Sequence, residues 1–254
     1  MPVINWKLSS TPRGDNSSQL FPEAALFDSL DYGKNRAKIT WYSVDNVLTR
    51  TTNNQNIPDH LKNDEAQRNN IYVREVIEQE VFPNKQSQTG HQLPLPTMNI
   101  TYYPDERGPY NYDDDASLIE SDGRFNNPED RWGGIMQDIQ TTDFEASNVE
   151  YIEFWMLDPF YYDENETIKG DLYINLGNVS EDVLRDGRKL FENGLPKNND
   201  YSSMDITNWG YVPKTQPITN SFDNDASARA IQDVGYDGLT DSLEKVHFAG
   251  FLSN

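Results

Sequence analysis

Cysteine is absent from the 254 residues, which removes disulfides, thiolate nucleophiles and cysteine-ligated zinc together and leaves the redox compartment open. No run of about 18 apolar residues occurs, so no segment is expected to span a bilayer as a helix. Cations are scarce. Lys and Arg total 21 against 42 Asp and Glu, a formal net charge of -21, and a surface so charged repels phosphate backbones and anionic lipid; nucleic acid is not an expected partner. Histidine occurs three times, as His60, His91 and His247, never in a pattern such as HExxH. The motifs GxSxG, GxxxxGK[ST] and GxGxxG are missing, and no repeat appears at solenoid or propeller periods. Ser242 and Lys245 fit the spacing SxxK, but without its companion motifs they read as a solvated helix face. The opening MPVINWKLSS has no charged leader followed by an apolar stretch; it reads as a fragment that begins inside a strand.

What is present points to a folded domain. Fourteen Tyr, 11 Phe and 5 Trp, within a hydrophobic content of 35%, exceed what a disordered acidic tail carries. Short β-branched or aromatic runs recur at 4–10, 37–44, 97–103, 133–140, 149–158 and 170–177, flanked by Gly, Pro, Asn and Asp. In GDLYINLG, Leu172, Ile174 and Leu176 share one face and Asp171, Tyr173 and Asn175 the other, as in a strand buried on one side. In VEYIEFWMLD both rows are largely apolar, which predicts a central strand covered on both sides, with Trp155 in the core beside Trp41 in its own strand.

Two helices are expected. Residues 180–194 carry Ser180 as N-cap, Glu181 and Asp182 in the first turn, Arg188 and Lys189 later, and Gly194 as terminator. Residues 69–83 place Val73, Val76 and Ile77 on one helical face, although their β-branching leaves a strand open. The connecting segments are long and polar. The fold expected is mainly β: an antiparallel two-sheet β-sandwich, jelly-roll-like in the manner of galactose-binding modules, with one or two helices and long loops. Residues 1–195 form that sandwich, and 196–254 form an irregular extension that wraps it or leads to a neighbouring domain.

Three kinds of site merit weighing. A glycosidase needs two carboxyls about 5 to 9.5 Å apart across a sugar. Glu150 and Glu153, three apart on a strand, point to opposite faces and cannot form such a pair. DVGYDGLTDSLE, residues 233–244, sets Asp233, Asp237, Gly238, Asp241 and Glu244 at positions 1, 5, 6, 9 and 12 of an EF-hand-length loop, and calcium is the candidate cofactor. Gly235 stands where a third oxygen ligand belongs, no helix precedes the loop, and a glycine turn with exposed acids accounts for the same letters. Trp132 and Trp209, beside glycines in loops, are candidate stacking platforms for carbohydrate.

The runs NRAKITWYSVD, YYPDERGPYNYD, PEDRWGGIMQDIQTTDFEASNVEYIEFWMLDPF and GDLYINLGNVSEDVLRDGRKLFENGLP, with QDVGYDGLTD near the end, resemble the SprA family, also called Sov. That family forms the outer-membrane translocon of the bacterial type IX secretion system and supports gliding motility. The resemblance extends from about residue 35 to residue 244. It implies a non-catalytic cap or lumenal section of a very long chain, facing the cell exterior or, as the alternative, the periplasm. Its partners would be the rest of the barrel chain, other secretion subunits and exported cargo. The ten-residue strands with a lipid-facing row that build a pore wall are missing, so this section is not expected to span the membrane. A carbohydrate-binding jelly-roll module and a glycoside hydrolase are the competing functions.

Overall fold

The run expected as one strand over 4–10 divides in two in the computed structural model: Val3–Asn5 is a turn of 3-10 helix and Lys7–Leu8 (β1) is strand. The structure describes residues 3–13, 20–26, 29–49, 57–85, 90, 93–139, 141, 143–165, 167–177, 179–185, 200–207, 210–215, 224–229 and 239–253. Ala37–Tyr42 (β2) falls where the alternating run AKITWY placed it. Asn99–Arg107 (β3) starts as expected but continues through Pro104. Proline donates no hydrogen bond, and a two-stranded sheet leaves each strand an open edge that tolerates it. Tyr42 meets Thr101 (hydroxyl oxygens 3.1 Å apart) and Lys38 meets Glu106 (2.5 Å), so β2 and β3 run antiparallel.

Ile135–Met136 (β4) is all that forms of the strand expected at 133–140. It pairs antiparallel with β1, Lys7 opposite Met136 and Leu8 opposite Ile135, and the Ser9 amide extends the ladder to the Gly134 carbonyl at 3.0 Å. Met204–Thr207 (β5) and Gly210–Pro213 (β6) form a third antiparallel pair, from Met204 opposite Pro213 to Thr207 opposite Gly210. The stretch expected to be irregular after residue 195 therefore carries a hairpin, followed by short helices Ala226–Arg229, Asp241–His247 and Ala249–Leu252.

Small antiparallel sheets and few, short helices agree with the mainly-β expectation at that coarse level. Among the described residues the sheets are three separate pairs, β1-β4, β2-β3 and β5-β6, and two sheets packed face to face are not seen. The largest departure lies in the two runs whose patterns look most strand-like. Residues 150–157 and 170–176 form no regular secondary structure, and no strand of the described chain lies along either. Tyr151 is 77% exposed and Trp155 75%, and Leu172, Ile174 and Leu176 are also exposed. Alternation reports how a strand presents its faces; it does not supply a neighbour for its edges. Trp155 is thus a surface residue here, not a core one, whereas Trp41 is half-buried.

The helices differ too. Over 69–83 only Glu78–Val81 is α-helical, one turn reached from the isolated bridge between Ile77 and Pro94, so Val73, Val76 and Ile77 do not share a helical face. β-branching at three positions favours the extended approach. Over 180–185 the chain turns without forming helix: Arg185 sits at φ 56° and Leu184 is buried. The remainder of that expected helix lies outside the described residues.

The chain divides into two compact units, with breaks inside β2 and β3 among others. One comprises Met1–Asn5, Thr40–Thr101 and Asp138–Lys169; the other comprises Trp6–Ile39, Tyr102–Gln137 and Gly170–Asn254. In the second unit Leu30, Tyr32, Leu184 and Val212 form a buried cluster, with Tyr110, Tyr112, Leu239 and Phe248 packed on it. Leu30 and Tyr32 enter from a 3-10 turn, Leu30–Gly33, capped by the Ser29 hydroxyl, which accepts from the Asp31 amide. Gly108 permits a close backbone crossing: a Cβ there would fall inside the van der Waals shell of the Ala37 carbonyl.

Candidate functional site: a buried arginine and aromatic hub

The strongest concentration of buried charge is in the second unit. Glu23, on the 3-10 turn Pro22–Ala25, is 1% exposed. Its two carboxylate oxygens accept from Trp132 Nε1 at 2.7 Å and Asn35 Nδ2 at 3.0 Å. Arg36 is equally buried, donates to the Ser9 carbonyl at 2.7 Å, and lays its guanidinium 4.6 Å from the centre of the Trp132 ring. Phe21 meets the same indole edge-on at 5.3 Å.

Arg131 holds the other half. Its side chain is 0% exposed. It donates to the Lys34 carbonyl at 2.6 Å, to Asn127 Oδ1 at 2.8 Å and to Asp113 Oδ2 at 3.3 Å, and its guanidinium lies 3.8 Å from the centre of the buried Phe125 ring. Arg107 approaches that ring at 5.5 Å while donating to the carbonyls of Asn111 and Asp113. Asn111 closes the network. Its amide nitrogen donates to the carbonyls of Lys34 (2.9 Å) and Arg36 (2.7 Å), and its Oδ1 accepts from the Asp113 amide.

Three guanidiniums and two carboxylates thus lie among aromatic rings, with arginine donors directed at main-chain carbonyls. Arginine suits the task because its planar fork reaches several acceptors at once and stacks on π faces. Burial lowers the pKa of Arg107, and the Asp113 charge opposes that fall. Tyr102 is 40% exposed overall, but desolvation about its hydroxyl, which donates to the Arg131 carbonyl at 2.7 Å, pushes the phenol up to about 12 against the lowering influence of the Arg131 charge. Glu23 and Asp113 each face cationic or N–H donors rather than one another. The arrangement stitches together residues 9, 23, 34–36, 107–113 and 125–132.

The sequence-derived candidates fall elsewhere or serve this hub. Trp132 belongs to it: one ring face carries Arg36, an edge carries Phe21 and its N–H is held by Glu23, so a sugar would have to displace those partners to stack there. Trp209 lies outside the described residues. So do Asp233, Asp237 and Gly238 of the calcium loop. Asp241 and Glu244 occupy the first turn of the helix Asp241–His247, a place where acidic side chains favour the helix N-terminus. Among the described residues no group of three or more histidines and acids is placed to hold a metal ion. His60 and His247 are exposed, as are Ser242 and Lys245, and His91 is outside the described chain. Glu150 and Glu153 are both exposed on the unpaired run. In the Asp113–Asp115 group, Asp113 is buried on Arg131 while Asp115 caps a 3-10 turn through Ser117.

Sequence reasoning missed Glu23, Arg36, Asn111 and Arg131. A signal existed: Arg36 directly precedes the strand run AKITWY, and Arg131 directly precedes Trp132 and the Gly133-Gly134 pair. An arginine at the mouth of an aromatic run, near glycines that admit close backbone approach, can lay its guanidinium on the rings and carbonyls that follow. No protein-family model matches the chain, and no curated protein matches it either.

Proposed function

We propose that the chain is a non-catalytic structural section of a type IX secretion translocon of the SprA kind, a cap or lumenal domain in the outer-membrane complex that supports protein export and gliding motility. The observation that carries the reading is where the resembling words fall. NRAKITWYSVD contains Asn35 and Arg36, YYPDERGPYNYD contains Arg107, Asn111 and Asp113, and PEDRWGGIMQDIQ contains Arg131 and Trp132. These are the hub residues, so the shared vocabulary is that of a scaffold and not of a reaction centre. The two-sheet, jelly-roll-like sandwich belongs to the same proposal, with residues 149–158 and 170–177 entering it as strands once neighbouring strands are supplied. Net charge of -21 suits a hydrated channel mouth that anionic material does not coat.

The test is cellular. An epitope placed in the exposed turn 145–148 is expected to cosediment with a large outer-membrane barrel complex, and excising the region is expected to strand exported proteins in the periplasm. Protease treatment of intact cells assigns the side of the membrane. A tag recovered free of the envelope, with export unchanged after excision, overturns the reading.

The exposed rings of Tyr151, Trp155, Tyr161 and Tyr162 favour one second reading, a carbohydrate-binding module. A glycan array on which Trp155→Ala abolishes a positive signal would support it.

A further inference from the structure

We propose that residues 150–157 are an open β-strand which docks a strand of a second polypeptide, and that this partner presents lysine or arginine opposite Glu150 and Glu153. The inference rests on this segment alone and does not require the translocon reading. The run forms neither helix nor turn, and none of its backbone groups is hydrogen-bonded within the described residues. Tyr151, Ile152, Phe154, Trp155, Met156 and Leu157 are all exposed, so apolar side chains stand uncovered in both rows. Six such side chains leave several hundred Å² of apolar surface in water, at about 150–250 Å² for a whole aromatic. That is as much as the largest patch on a typical monomer and approaches the roughly 800 Å² that each partner contributes to a stable interface.

The segment is also held in place. Before it, the turn 144–148 is closed by the Val149 amide on the Phe144 carbonyl at 2.9 Å, with Asn148 at φ 50°. After it, Tyr72 donates to the Pro159 carbonyl at 3.0 Å and packs edge-on to Tyr162 at 5.3 Å. Midway, Phe82 meets the edge of the Trp155 ring at 6.0 Å. A strand pinned at both ends with its hydrogen-bonding edges open has lost much of the entropy that pairing would otherwise remove.

Charge selects the occupant. The run holds Glu150 and Glu153, is followed by Asp158, and has no cation of its own. A second copy paired antiparallel about Phe154 would set Glu150 opposite Asp158, between two molecules each carrying a net charge of -21. Like charges directly across a ladder destabilise it. An apolar strand with lysine or arginine at two positions three apart, one on each face as Glu150 and Glu153 are, relieves that repulsion and covers the open edge.

The probe is a short capped peptide of valine and threonine with lysine at two positions three apart, compared with the same peptide carrying glutamate for lysine. Amide hydrogen exchange of the whole chain reads the result, with sedimentation in parallel. In the free protein the amides of 150–157 are expected to exchange nearly unprotected, and the lysine peptide is expected to slow them by roughly tenfold or more, at that segment and not across the acidic surface. The glutamate peptide is expected to leave them unchanged, and Glu150→Lys with Glu153→Lys is expected to exchange the two preferences. Protection already present in the dilute free chain overturns the proposal. So does protection that grows with protein concentration alone, which assigns the edge to a second copy, and so does equal or diffuse protection by both peptides. Quenching of Trp155 fluorescence by an oligosaccharide, with the amides still exchanging fast under the lysine peptide, would likewise overturn it in favour of a sugar platform.

Discussion

Arg131→Ala tests the hub most directly. The substitution removes donors to Lys34 O at 2.6 Å and Asn127 Oδ1 at 2.8 Å, and takes away the cation 3.3 Å from Asp113. Asn111 still reaches the Lys34 carbonyl, so the main loss is a buried Asp113 carboxylate without its guanidinium, together with the face of Phe125. Breaking a buried pair from one side destabilises by about 3–5 kcal/mol. With a urea slope of about 2–3 kcal/mol per molar, the midpoint should fall by about 1–2 M. The assay is urea unfolding followed by amide exchange at Ala37 and Trp132, whose N–H groups bond to Trp132 O (2.8 Å) and Asn35 O (3.1 Å) in this unit. Arg131→Met combined with Asp113→Asn removes both charges and should recover about 1–2 kcal/mol relative to the sum of the single changes. Arg124→Ala is the control, because its contacts to Asp105, Glu106 and Asp122 are half-exposed and should leave the midpoint unmoved. Arg131→Ala within about 0.5 kcal/mol of the parent, the range of an ordinary surface change, would refute the hub as the organiser of this unit.

Three further outcomes follow from particular contacts. Trp132→Phe keeps the aromatic face but leaves a Glu23 oxygen without its donor; thermal unfolding should register a loss of about 1–3 kcal/mol, reduced when Glu23→Gln is added. Gly108→Ala drives a methyl into the Ala37 carbonyl and should destabilise by about 1–3 kcal/mol, whereas Gly250→Ala, in the open helix Ala249–Leu252, should be neutral or stabilise by up to about 1 kcal/mol. Tyr102, with its phenol raised to about 12, stays protonated in the folded chain while the unfolded phenol ionises near 10. The unfolded state then binds fewer protons, so this stability is complete below pH 10 and is lost as pH rises towards 12; tyrosinate absorbance with and without Tyr102→Phe measures it.

The sequence made some of this legible. β2 and the start of β3 follow from alternating aromatic and β-branched residues, and the exposed Ser242 and Lys245 follow from a polar helix face. The carboxylate side of the hub was not legible, because Glu23 meets Trp132 across more than a hundred residues and nothing local marks a carboxylate that will be buried. The runs 149–158 and 170–177 show the converse: their patterns predict covered strands, whereas their apolar side chains are exposed and no described strand pairs with them. Residues 69–83 mixed two periods, and the turn at Asn70, whose side chain accepts from the Tyr72 amide, took precedence over a long helix.

The bonds that define the second unit join distant points of the polypeptide: Arg131 to Lys34, Trp132 to Glu23, Ser10 to Ser180 and Arg185 to Ala24. A ribosome releases the amino terminus first. Glu23 and Arg36 must therefore wait, solvated, until about a hundred more residues have emerged before their aromatic partner arrives, and Ala24 must wait longer for Arg185. Such late closure makes folding slow and gives holdase chaperones a window in which the nascent acidic chain is still open.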